Sequence, residues 1–245
     1  MLEIESNRYG FKTKTIWFSD APFEVNGYDG VVFRACTDNV DLEGFFKREF
    51  TTSVIDLTQD LDVIWGKMSK SSCRSAIKRA EREGVEILVN QEYETFINLN
   101  RNFRTDKGLP PFDVDVDFMK NYGTLFVSMI NGTILGGQFY LNDDSHMRWL
   151  LGASKRLEST DNIKSLIGAA NRLMIWEAIQ YAKTAEIGTF DMGGYYTGKI
   201  PDPQKEGINH FKKSFGGEIV SHYTYEKDYS IIYALAKKAT NYLKR

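Results

Sequence analysis

The sequence predicts an α+β fold in which a mixed, mostly antiparallel sheet is flanked by helices, and three observations carry that expectation. Three β-rich runs follow one another between Leu125 and Leu151 through tight turns. An apolar stripe at helical spacing extends from Ile163 to Ile179. The second half of the chain then reads β-β-β-α-β-α-β without an internal repeat, an order that suits a layered sheet with helices on its faces.

The N-terminal runs Thr15-Ile16-Trp17-Phe18, Val31-Val32-Phe33 and Val54-Ile55-Asp56-Leu57 lack helical spacing and are separated by Gly- and Asp-containing segments, so three strands are expected there. From Leu61 the period changes. Asp60 and Ser71 or Ser72 are candidate caps for two helices, the second ending at Gly84. Val85 to Val89 alternates as a strand, and Tyr93, Phe96, Ile97 and Phe103 recur at helical spacing up to Gly108 and the Pro110-Pro111 breaker. Any domain boundary is expected near residue 90, dividing 1–90 from 91–245; the alternative is one fused domain over 1–245.

Leu125 to Ile130, Asn131-Gly132 and Thr133 to Leu141 give the clearest local signal, because Asn-Gly between two strand-like runs marks a type I′ hairpin. Asp143-Asp144 turns the chain into His146 to Leu151, completing a meander. Thr160 and Asp161 are candidate caps for the long apolar-striped helix. After it come a strand over Ile187 to Asp191, a Gly- and Pro-rich loop to Pro203, and a short helix carrying Ile208 and Phe211. The Gly216-Gly217 break, a strand over Ile219 to Tyr225 and a final helix capped by Asp228 complete the chain. That final helix bears Ile232, Leu235, Ala239 and Leu243 on one face and Lys237, Lys238 and Lys244 elsewhere, a pattern of simple packing.

Composition narrows the chemistry. With 31 Lys and Arg against 33 Asp and Glu, the formal charge is −2, so general nucleic-acid binding and a DNA partner are not expected. A 42% hydrophobic, 13% aromatic composition is enough for a core and excludes disorder. Cys36 and Cys73 lie far apart, and His146, His210 and His222 share no ligand spacing, so neither a disulfide framework nor a metal centre is expected. The start Met1-Leu2-Glu3-Ile4-Glu5-Ser6 has no secretory character and no apolar run reaches membrane-spanning length, which reads as a cytoplasmic protein.

Gly193-Gly194-Tyr195-Tyr196-Thr197-Gly198-Lys199 has the spacing of a phosphate-binding loop, but Ile200 stands where a magnesium-binding Ser or Thr belongs, and Pro201 and Pro203 interfere with the amide-donating helix start. Nucleotide hydrolysis is therefore not expected, and neither a G-x-S-x-G elbow nor a G-x-G-x-x-G loop occurs. Lys70, Arg74, Lys78 and Arg82 recur every four residues as a basic ridge, which either receives phosphates or is a solvated face diluted by Glu81 and Glu83. Asp191-Met192-Gly193-Gly194-Tyr195-Tyr196 sits directly after a strand, where paired glycines let a ligand approach the backbone, or where Asp191 merely caps the turn. His210-Phe211-Lys212-Lys213 either places a cation beside a reacting centre or forms half of an amphipathic helix.

Four segments in order carry a resemblance. They are Ser71-Ser72-Cys73-Arg74-Ser75-Ala76-Ile77-Lys78-Arg79-Ala80 with Gly84-Val85, Lys107-Gly108-Leu109-Pro110-Pro111 ahead of the Asn131-Gly132 hairpin, Asp191-Met192-Gly193-Gly194, and Phe211-Lys212-Lys213-Ser214-Phe215-Gly216-Gly217. Together they resemble the Fem-type aminoacyltransferases and their relatives in the GNAT superfamily of N-acyltransferases. The resemblance implies a GNAT-like mixed sheet, with residues 1–90 as a reduced N-terminal half, and no metal. It implies transfer of an acyl group, acetyl first, from acetyl-CoA or another acyl-CoA to an amine of a cell-envelope precursor such as a nucleotide-linked amino sugar. An aminoacyl-tRNA-dependent ligase of peptidoglycan cross-bridges is the alternative, and a non-catalytic binding module a further one. No long charged segment matches the helical arm of Fem ligases, and no R/Q-x-x-G-x-G/A loop lies between Ser154 and Ile167.

By the same resemblance Lys212, with Phe211 beside it, stands at the transfer centre as the oxyanion-stabilising cation, and Asp191 is the strand-end acid acting as base or orienting group. The residues themselves suggest Tyr195 or Tyr196 as proton donor to the leaving group. Arg148, Trp149 and His210 are candidates for the acceptor pocket, and Lys70, Arg74 and Lys78 for phosphate.

Overall fold

The computed structural model describes residues 1–112, 114–158 and 160–243. Its strands are β1 (Leu2–Arg8), β2 (Phe11–Trp17), β3 (Gly30–Cys36), β4 (Phe46–Asp56), β5 (Glu86–Val89), β6 (Gly123–Ile130), β7 (Thr133–Asn142), β8 (His146–Ser154), β9 (Thr189–Gly194) and β10 (Glu218–Asp228). Its helices are α1 (Leu61–Lys67), α2 (Ser75–Arg82), α3 (Tyr93–Asp106), α4 (Val116–Tyr122), α5 (Asp161–Thr184), α6 (Pro203–Lys213) and α7 (Ile231–Leu243). They fall into two compact units, Met1–Thr52 with Val220–Arg245, and Ser53–Ile219. The units divide within β4 and β10, whereas residue 90 lies inside the second unit, just after β5.

In the first unit β1 and β2 form an antiparallel hairpin through Tyr9 and Gly10, both at positive φ, and β2 runs parallel to β3. β3 pairs antiparallel with β10, Phe33 opposite Tyr225. Its core is Ile16, Val31, Phe33, Cys36, Tyr223 and Tyr225. The Tyr225 hydroxyl donates to Asp38 O at 2.6 Å and accepts from Val40 N at 3.0 Å, so the buried phenol is satisfied at both ends. The final helix starts later than expected: Ser230 Oγ, not Asp228, accepts from Tyr233 N at 3.3 Å, and Lys244 lies outside the described residues.

The second unit orders its strands β4-β9-β8-β7-β6-β5. The run from β5 to β8 is antiparallel and β8 is parallel to β9, which is the expected mixed, mostly antiparallel sheet. Asn131 and Gly132 both have positive φ, 47° and 74°, as a type I′ turn requires. α5 buries Ile167, Ala170, Leu173, Met174, Ala178 and Ile179 in one cluster with Phe126, Tyr140 and Phe190, and α2 packs on α5. Between α1 and α2 the chain makes a π-helical turn over Lys70–Arg74, capped by Ser69, whose Oγ accepts from Ser72 N at 3.3 Å, rather than by Ser71 or Ser72. Among the described residues no helix is long and apolar enough to cross a membrane.

Candidate active site

The centre of the second unit is built where β8 and β9 run side by side. Their register pairs His146 with Thr189, Met147 with Phe190 and Arg148 with Asp191, and Arg148–Asp191 is its last pair. At that point the Arg148 guanidinium donates to Asp191 Oδ2, with the two side chains 11% and 5% exposed. Asp191 Oδ1 accepts from Gly193 N at 2.7 Å, so the carboxylate folds the end of β9 back on itself. Gly193 takes φ +78°, and a Cβ there would lie 3.2 Å from Trp149 O. The turn therefore needs glycine.

α6 brings the second half of the site. Asp202 caps it by accepting from Lys205 N at 3.1 Å, and Pro203 occupies the first turn, where its missing N–H costs nothing. The last turn delivers Lys212, which is 7% exposed and donates to Gly194 O at 2.7 Å. Its Nζ also sits 5.8 Å from the Trp149 ring centroid. Burial pushes the Lys212 amine down to about 8; Asp191 opposes that shift and Arg148 reinforces it. The result is an ammonium whose proton is held only weakly above neutral pH.

Aromatic rings wall this amine. Trp149 lies 6.3 Å from Phe211 and 6.5 Å from Tyr140, with its Nε1 donating to Leu151 O at 2.7 Å. Gly152 leaves room for the indole, since a Cβ there would meet Trp149 Cζ2 at 2.7 Å. Tyr140 is fully buried and donates to Gln138 Oε1 at 2.7 Å, while Gln138 Nε2 donates to Asn171 O at 3.1 Å.

The structure thus brings Arg148, Trp149, Asp191, Phe211 and Lys212 together. Other expected site residues are placed differently. The Tyr196 hydroxyl donates within its own loop to Ile200 O at 2.6 Å, and its backbone is clasped by Asn209, which accepts from Tyr196 N at 2.9 Å and donates to Tyr196 O at 2.7 Å. Tyr195 is half-buried and His210 exposed. The basic ridge does not persist as a line. In the π-turn Arg74 N reaches back five residues to Ser69 O and Ser75 N to Lys70 O, so a spacing of four no longer stacks side chains there. Lys70 and Lys78 are exposed, whereas Arg74 is half-buried. Among the described residues no group of three or more His, Cys, Asp or Glu is placed to hold a metal ion. Cys36 and Cys73 are buried free thiols, pushed up by burial to about 12 and about 11.

Sequence reasoning missed Arg172 and Asn209. Arg172 lies on α5 outside the apolar stripe, is half-buried, donates to Gly168 O at 2.9 Å and lies 4.7 Å from the Phe211 ring centroid. A single cation in a helix pattern reads as a surface residue until the facing elements are known.

No family model matches the chain, and no curated protein sequence does. Among solved structures, FemX matches with a TM-score of 0.58 and 16% identity, over 74% of this chain and 65% of that one. L-PGS from Bacillus licheniformis matches at 0.55 and 15%, over 88% of this chain and 73% of that one. The chain shares the fold of these two proteins. The C-terminal domain of a putative lysylphosphatidylglycerol synthetase from Agrobacterium fabrum adds a third such likeness, at 0.54 and 12%, over 81% of this chain and 68% of that one. The chain spans just under two thirds of the FemX chain.

Proposed function

We propose that the chain is an N-acyltransferase that moves an acyl group, acetyl first, from acyl-CoA to an amine on a cell-envelope precursor such as a nucleotide-linked amino sugar. The observation that carries acyl transfer is Lys212: a buried ammonium, aimed by Gly194 O and walled by Trp149, at the open end of the β8–β9 pair. Attack of an amine on a thioester or ester carbonyl places negative charge on one oxygen, and a fixed cation in a dry site stabilises it. Removal of the amine proton needs a base or a water chain near the acceptor.

Asp191 serves as an orienting group in this scheme rather than as the base, because one oxygen holds Gly193 N and the other Arg148. It fixes the strand end that positions Gly194 O, and through it Lys212. Tyr196, spent on Ile200 O, is left out of proton transfer; Tyr195 keeps the leaving-group role, and His210 a place at the acceptor's edge.

An aminoacyl-tRNA donor is the second reading, which the resemblance of the four sequence segments to Fem-type aminoacyltransferases favours. The two are separated by assaying the full chain for acyl transfer from acetyl-CoA and from charged tRNA to amino-sugar nucleotides. Saturation with the true donor at about 100 times its dissociation constant should also stabilise the native state by about 2.7 kcal/mol. Turnover unaffected by Lys212→Ala would remove Lys212 from the transfer centre, whereas no turnover with either donor would leave a binding module without catalysis.

A further inference from the structure

We propose that Arg74 and Arg172 form a binding site for a phosphate-bearing group, with Arg172 against the Phe211 ring. Both guanidinium groups have a buried Nε with no hydrogen-bond partner. Such an atom costs roughly 1–3 kcal/mol when left unpaired, so two at one place call for an explanation. Among the described residues neither arginine makes an ion pair with a carboxylate. Arg172 has the Phe211 ring at 4.7 Å and one backbone acceptor, Gly168 O, which leaves most of its donor fork unused.

The two cations border one core cluster: Cys73, next to Arg74 in the chain, and Leu173, next to Arg172, are both buried in it, and Phe211 packs against it. Both guanidinium groups also act electrostatically on the Cys73 thiol. Burial and the nearby charge of the exposed Arg156 both disfavour the charged form of Arg172. The π-turn over Lys70–Arg74 is what turns Arg74 inward, away from the line of Lys70 and Lys78. Two forks with a combined charge of +2 match a phosphate or pyrophosphate better than a single carboxylate, because each fork can donate to two oxygens. That the ligand is a substrate group rests on the acyl-transfer reading; the anion site itself does not.

Titration calorimetry of the full chain with inorganic pyrophosphate at low ionic strength tests the site. Binding should weaken at least tenfold in Arg74→Gln and in Arg172→Gln, and stay unchanged in Lys238→Gln, which lies on α7. Arg172→Lys, which keeps the charge but loses the fork, should weaken binding as well and covers the case in which Arg172→Gln fails to fold. No binding by the native chain, or equal binding by the Arg74 and Arg172 variants, overturns the proposal. Competition then assigns the source: displacement of pyrophosphate by coenzyme A marks a donor site, and displacement by uridine diphosphate an acceptor site. Displacement by neither overturns the assignment to a substrate. None of these readouts depends on turnover, so the anion site and the role of Lys212 fail separately.

Discussion

Two lysines of this chain lie beside carboxylates, yet their surroundings pull them in opposite directions. Lys14, in the β1–β2 hairpin, bonds Glu3 at 2.6 Å and reaches Glu5 at 3.5 Å; the bond to Glu3 holds its amine well above the usual lysine value. Lys212, at the end of α6, bonds a neutral carbonyl, and burial brings it down to about 8. The nearest carboxylate, Asp191, is already committed to Arg148. The hairpin spends its charges on local pairing at a wet edge, which is a structural use. The site keeps a buried cation short of its counter-ion, which costs stability and leaves the charge available to a reacting oxygen.

The largest effect expected from breaking this arrangement is on stability. Arg148→Ala strips the buried Asp191 of its guanidinium and should cost about 3–5 kcal/mol in urea unfolding; a loss under 1 kcal/mol would mean that Asp191 finds another cation or solvent. Lys212→Ala should lower turnover about 10²–10³-fold while the fold remains, as expected for one oxyanion-stabilising donor. Lys212→Met sharpens the contrast, because removing a poorly compensated charge should raise stability at pH 7. The bound on that gain follows from the fall from 10.5 to about 8, roughly 3 kcal/mol, less the lost bond to Gly194 O.

The sign of the pH dependence is fixed. Between pH 8 and 10.5 the unfolded lysine holds its proton and the folded one has released it, so native stability gains with rising pH in that window. Lys212→Met should lack that gain, as denaturation at pH 7, 9 and 10.5 would reveal. Glu3→Gln is the smallest change: at most about 1 kcal/mol, shrinking with added salt, and no change in turnover.

Much of the second unit was legible because its signals are local. Asn131-Gly132 names its own turn, the α5 stripe names its buried face, and Asp191 to Gly194 announces a strand end with a special backbone. Other elements needed partners to be seen. β1 alternates half-buried and exposed residues with Glu3 and Glu5 pointing outward, so no apolar run marks it, and its register is set by β2. α4 is seven residues long, too short for a period to emerge, and follows a Pro-Pro breaker. Arg74 reads as part of a ridge only under α-helical spacing, and the π-turn over Lys70–Arg74 breaks that spacing. Arg172 takes its meaning from Phe211 on α6, a contact that α5 alone cannot encode.

The most direct test is the pH profile of acyl transfer by the native chain and by Lys212→Arg, with whichever donor supports turnover. A cationic Lys212 predicts a rate that falls as pH rises through about 8, and a Lys212→Arg variant whose residual rate lacks that limb. A native rate that instead climbs through pH 8, or the same falling limb in both proteins, would contradict the assignment of Lys212 as the charge that meets the oxyanion.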